Sequence, residues 1–159
     1  MSRREGAGFS LIEMMMALAC IALIASIAMP HAELALQRRK EAELRSALRE
    51  IRSALDAYHR MAEQGRIQRD AGDSGYPKTL DSLAAGVPDI TRPEGGMLYF
   101  LRRIPRDPFH QDASTPAADT WAKRSYASPP DAPKEGTDVF DIHSRSTGVG
   151  LNGVAYREW

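Results

Sequence analysis

The chain has a single cysteine, Cys20, among 159 residues, so no disulfide within it can staple a fold. Aromatic residues are scarce at 7%, and neither sign of charge dominates, because 21 Lys+Arg balance 21 Asp+Glu. That speaks against a nucleic-acid-binding surface, which needs a basic excess and aromatics for stacking. Metal-ligand spacings are missing as well: His31, His59, His110 and His143 are scattered, with no HxxxH or CxxC. No glycine-rich phosphate loop follows a strand and no nucleophile elbow occurs. Asp107 beside Pro108 reads as a turn residue rather than a catalytic acid. An enzyme is therefore not expected. At 43% hydrophobic and 26% charged, the composition is too apolar for a disordered chain and suits one modest domain.

That average conceals an uneven distribution. From Phe9 to Met29 the only charged residue is Glu13, whereas the remainder is markedly polar. These 21 residues would span about 31 Å as a helix at ~1.5 Å per residue, matching a hydrocarbon core of roughly 30 Å. The run therefore reads as a transmembrane helix rather than a buried core helix. A removable secretory signal is the competing reading, since Arg3 and Arg4 make a basic start and Ser26 with Ala28 form a small-x-small cleavage site. A lipoprotein signal would need acylation at Cys20, and the preceding Ala17, Leu18 and Ala19 are poorly ordered for it. Glu13 at the head of the run opposes the secretory signal, and the short apolar run before Cys20 opposes the lipoprotein one. Charge leaves orientation open: Arg3 and Arg4 on one side face Arg38, Arg39 and Lys40 on the other.

Pro30 follows the apolar run, and a proline inside a helix removes one hydrogen bond and clashes with the preceding turn, so a kink is expected there. Beyond it, Leu44, Leu48, Ile51, Leu55, Tyr58 and Ala62 recur in steps of four and three, the apolar stripe of an amphipathic helix. Charged residues, among them Glu41, Arg45 and Arg52, surround the stripe and read as a solvated face. Counted from Phe9 to about Gln64, the helix would be roughly 84 Å long at ~1.5 Å per residue, too long for an ordinary soluble domain. Gly65 ends it, and Gly72-Asp73-Ser74-Gly75 marks a turn. A short helix near Leu80 to Leu83 is expected, with Thr79 as its N-cap and Pro88 as its stop. Short strands are expected at Ser125 to Ala127, Val139 to His143 and Val154 to Arg157, with a small antiparallel sheet covering the Leu44 to Tyr58 stripe.

The junction Gly8-Phe9-Ser10-Leu11-Ile12-Glu13 resembles the class III signal of type IV pilins and type II secretion pseudopilins: a short basic leader, a Gly, a Phe, and a carboxylate five residues into the segment left after cutting. The segments Tyr76-Pro77, Asp107-Pro108-Phe109 and Phe140-Asp141-Ile142-His143-Ser144 are similar, in the same order, to segments of G-type major pseudopilins. The resemblance implies an α+β, pilin-like fold: a long N-terminal helix, transmembrane in its first half, with a small antiparallel sheet packed on its second half. It implies a prepilin leader at 1–8, a transmembrane and filament-core helix at 9–29, an amphipathic periplasmic half at 30–64 and a periplasmic head at 65–159. A prepilin peptidase would cut between Gly8 and Phe9 and N-methylate Phe9, and Glu13 would pair with the new amine of a neighbouring subunit during assembly.

Function and partners follow from the same resemblance. The chain would be a structural subunit of the periplasmic pseudopilus of a type II protein secretion system, helping to export folded proteins. It would sit in the inner membrane as a single-pass protein with its head in the periplasm. Its partners would be further copies in a filament, other pseudopilins, the prepilin peptidase, an inner-membrane assembly platform and the lipid bilayer, with no nucleic acid. A pilus subunit for adhesion, motility or DNA uptake is an alternative, as is a monomeric membrane-anchored periplasmic binding module. The missing C-terminal cysteines favour a pseudopilin over a pilin, which usually closes its C-terminal loop with a disulfide. One departure concerns calcium, which G-type pseudopilins hold in a C-terminal loop. The corresponding loop here, Ser144 to Gly153, has an Arg and no acidic residue, and calcium takes six to eight oxygens and gains affinity from ligand charge. Asp138 and Asp141 are the nearest calcium candidates, and no cofactor is expected.

Overall fold

The computed structural model describes residues 10–92 and 95–159, apart from the side chains of residues 27–30. Two compact units are present, Met1–Arg39 and Lys40–Trp159. Helix α1, Leu11–Glu63, contributes to both. The helix runs on through Pro30 without a break. Its exit is a Schellman turn, in which Arg66 N–H reaches back to the Met61 carbonyl at 3.0 Å and Gly65 N–H to that of Ala62 at 3.1 Å. Gly65 sits at φ +69°, a conformation that costs a side-chain-bearing residue about 1 kcal/mol or more.

In the second unit, α1 is followed by a short helix α2 (Asp81–Ala85), a hairpin of β1 (Val87–Asp89) and β2 (Gly96–Leu98), and a second antiparallel pair, β3 (Trp121–Arg124) and β4 (Asp141–Ser144). Single 3-10 turns cover Ala117–Thr120 and Tyr156–Glu158. The architecture is α+β, with one long N-terminal helix and small antiparallel sheets. The sheets are two separate two-stranded pairs rather than one.

The apolar stripe of α1 makes the core of this unit. Leu44, Leu48, Ile51 and Leu55 are each at most 3% exposed and join Leu80, Leu83, Trp121 and Ile142 in one cluster. Burying each such side chain contributes roughly 1.5–3 kcal/mol, far more than the helix gains from its surface pairs. In the register of the second pair, Trp121 lies opposite Ser144 and Lys123 opposite Ile142. The Trp121 indole N–H donates to the Pro105 carbonyl at 2.8 Å, which ties the irregular segment before the sheet to the core. Asp107 continues the tie: it accepts the Phe109 N–H at 2.8 Å and the Ser144 hydroxyl at 2.5 Å, while its own N–H reaches the Thr120 hydroxyl. It is the buried turn residue its sequence context suggests.

Three local expectations are corrected. Ser125 to Ala127 is a turn following β3, because Asp138 takes the Ser125 hydroxyl and the Tyr126 N–H and folds the chain back there. Val154 to Arg157 contributes only an isolated bridge, Val149 to Ala155, before turning into 3-10 helix. Thr79 is not the cap of α2: Leu80 holds that position without a side-chain bond, and the helix ends at Gly86, φ +85°, with Pro88 inside β1.

Candidate functional site

Nine large apolar side chains between Leu11 and Ile24 are each more than half exposed, Leu11 at 81%. A continuous exposed surface of this kind marks a face for contact with lipid or protein. An 18-residue window of α1 reaches a mean hydropathy of 2.3, enough in length and composition to cross a membrane. Glu13 stands exposed in the first turn of α1, where the partial positive charge of a helix N-terminus favours a carboxylate. Cys20 is also exposed on this stretch. Gly8 and Phe9, the expected processing site, lie outside the described residues.

The second functional element is the C-terminal loop. Glu41 was expected on a solvated face, yet it is only 4% exposed. Its Oε1 accepts the Leu151 N–H at 2.8 Å and the Tyr156 hydroxyl at 3.0 Å, while Arg45 lies 3.8 Å from Oε2. One helix carboxylate thus holds the loop at Leu151 and the chain just beyond it at Tyr156. The loop also bonds within itself: Gly150 N–H to the Val154 carbonyl at 2.9 Å, Tyr156 N–H to the Gly148 carbonyl at 3.1 Å, and Val154 N–H to the Asn152 side chain. Gly150 is needed for space, since a Cβ there would come within 2.4 Å of the Trp159 ring. Trp159 is in turn covered by the Arg45 guanidinium, 4.3 Å from its ring centroid, a cation–π contact.

Asp138 and Asp141, the calcium candidates, have no partner in common. Asp141 Oδ1 accepts Arg52 Nε at 2.8 Å and its own neighbour's N–H, and Arg124 lies 3.7 Å from Oδ2. Two guanidiniums balance its charge. Arg52 also donates to the Ile142 carbonyl and the Trp159 main-chain oxygen, so this side chain pins the C-terminus to α1. Asp138 accepts the hydroxyls of Ser74 and Ser125 and the Tyr126 N–H. Burial pushes its carboxyl up, but those three donors outweigh it and hold it below the ordinary carboxylate range. No cluster of three or more metal-ligating side chains occurs among the described residues.

The sequence was silent on a third buried acid. Asp89 at the end of β1 is held far below the usual range by the Arg66 guanidinium and the Thr91 hydroxyl, against the opposing effect of burial. It fastens the β1–β2 hairpin to the exit of α1.

Residues 3–29 match the prokaryotic N-terminal methylation motif. No curated protein matches the chain, and no solved structure does. The motif supports a type IV pilin-like protein, one of a class of structural subunits that a prepilin peptidase processes and that assemble into filaments. Together with the apolar helix, it supports a membrane-anchored protein.

Proposed function

We propose that this chain is a pseudopilin, a structural subunit of the periplasmic pseudopilus of a type II secretion system, and that its activity is assembly. The observation that carries this reading is the methylation motif at the head of a helix whose apolar side chains are exposed all along residues 11–26. Before assembly, lipid covers that surface and the protein waits in the inner membrane with its head in the periplasm. In the filament, the helices of other copies cover it.

Cleavage between Gly8 and Phe9 leaves a new α-amine on Phe9, to which the peptidase adds a methyl group. An amine of this type has a pKa near ~8 and is largely protonated at neutral pH. Glu13 is its counter-charge on a neighbouring copy. A carboxylate at the middle of a membrane helix costs roughly 2.5–3.5 kcal/mol on insertion scales and less near an end, so pairing on assembly favours the filament over the isolated membrane form. Pro30 is the point at which the helix bends or opens as the subunit leaves the bilayer.

The head supports the pseudopilus reading over the pilus reading. It carries no cysteine, and its C-terminal loop is closed by Glu41 rather than a disulfide. Deleting the gene tests the assignment: folded enzymes are retained in the periplasm while pili remain intact. Loss of pili with secretion unchanged would instead assign the chain to a pilus.

A further inference from the structure

A second surface lies on the head near the end of α1 and takes no part in the assembly proposed above. His59 of α1 stacks on Tyr76 with ring centroids 4.4 Å apart and planes inclined by 22°. Tyr76 in turn lies 5.9 Å from Tyr126 at 23°, and Phe140 meets both tyrosines edge-on. This aromatic stack ends in solvent, because Tyr126 is 61% exposed. An exposed tyrosine ring held on a packed aromatic support offers an open ring face for stacking.

Beside Tyr126 opens a cleft of about 410 Å³, with Tyr76 in one wall. Its walls come from the segment before α2 and from the turn after β3. Asp138 joins them by accepting Ser74 on one side and Ser125 with Tyr126 N–H on the other, so the cleft is preformed. Its charged groups cancel in kind: Arg69 and Lys78 stand against Asp73 and Asp138. Such a lining favours neither a phosphate nor a cation. Lys78 meets Asp70 at only 3.4 Å, which leaves ammonium protons for a ligand.

We propose that this cleft binds a neutral oligosaccharide, one sugar ring stacked on the outer face of Tyr126 and the next hydrogen-bonded in the cleft beside Tyr76. The chemistry fits. The negative face of a tyrosine ring accepts the polarised C–H groups of a pyranose, and the Lys78 ammonium and the Asp73 carboxylate in the cleft wall offer a donor and an acceptor for sugar hydroxyls. A volume of this size accommodates about two sugar rings and falls within the roughly 300–1,000 Å³ of small-ligand sites. The inference is independent of filament assembly, since every residue lining the cleft belongs to the head.

The test uses the full-length protein in detergent micelles and saturation-transfer NMR with a panel of soluble β-linked tetrasaccharides of glucose, xylose and N-acetylglucosamine. The expected result is transfer to sugar-ring protons for at least one member, with Kd in the range of about 10 μM to 1 mM. Tyr126→Ala should weaken that binding at least roughly tenfold and Tyr126→Phe should retain it, because the ring face rather than the hydroxyl is used. The exposure of Tyr126 makes both variants safe for folding, which an unchanged melting temperature would check. Absence of transfer from every sugar up to about 10 mM, or binding that Tyr126→Ala leaves intact, overturns the proposal. Competition by inorganic phosphate would also overturn it, by showing an anion site instead.

Discussion

Glu41 accepts the main-chain N–H of Leu151 at 2.8 Å, joining positions 110 residues apart in the chain. The same oxygen takes the Tyr156 hydroxyl, so a single carboxylate on α1 closes the C-terminal loop against the helix. Glu41→Ala should therefore destabilise the head by about 2–4 kcal/mol, since the buried Tyr156 hydroxyl and the partly buried Leu151 N–H both lose a charged acceptor. Tyr156→Phe, which removes one donor and leaves the Leu151 bond, should cost about 1 kcal/mol. Chemical denaturation of the two variants checks both values, and equal costs would mean that Leu151 gains nothing from the contact.

Chelation should have no effect on the head. Asp141 is already balanced by Arg52 and Arg124, and Asp138 is engaged by three donors, so neither is available to draw a calcium ion to the loop. The expected outcome is a thermal melt that superimposes with and without EDTA and with added calcium. A large fall in melting temperature on chelation would mean that main-chain oxygens of the loop bind the ion.

Acid should loosen the head through Asp89 and Asp138. Both carboxyls lie below their ordinary values in the folded state, so the unfolded chain takes up protons first as the pH falls. The stability they contribute is complete above about pH 5 and is lost as the pH falls below about 4 toward the folded-state values. His143 adds to the trend from a higher starting point: burial lowers its pKa, assisted by Arg52, Arg145 and Arg124 and opposed by Asp141, so protonating it also favours unfolding below about pH 6.5. Denaturation midpoints measured between pH 7 and pH 3 should fall monotonically. Asp138→Asn should flatten the portion below pH 4, and an unchanged slope would remove Asp138 from the account.

Glu13→Leu separates processing from assembly. The variant should be cut and inserted normally, because its helix is only more apolar, while the critical concentration for assembly rises at least roughly tenfold, equivalent to about 1.4 kcal/mol per subunit added, and filament yield falls with it. Normal filament yield from Glu13→Leu would defeat the pairing of Glu13 with the Phe9 amine.

What the sequence made legible followed from repetition. Leu44, Leu48, Ile51 and Leu55 announce a buried helix face by spacing alone, and all four are in the core. The apolar run and the Gly8-Phe9 junction are equally local signals. Strand positions were less accessible. Lys123 and Arg124 break the apolar alternation of β3, and only pairing with β4 and burial of Trp121 keep that segment extended. The β1–β2 hairpin was hidden by Pro88, which reads as a breaker and is tolerated in a short two-stranded ribbon. Glu41 was the least predictable residue. It occupies a charged stretch of helix, and its partners lie 110 and 115 positions away, so nothing in its neighbourhood distinguishes it from the exposed acids beside it.

The central claim is that α1 is a processed assembly helix, and the intact mass of the protein extracted from membranes tests it most directly. Produced together with a prepilin peptidase, the chain should lose residues 1 to 8 and gain one methyl group on Phe9. A full-length mass, or a mass corresponding to cleavage after Ala28, would contradict the account, because an unprocessed anchor or a discarded signal cannot form the core of a filament.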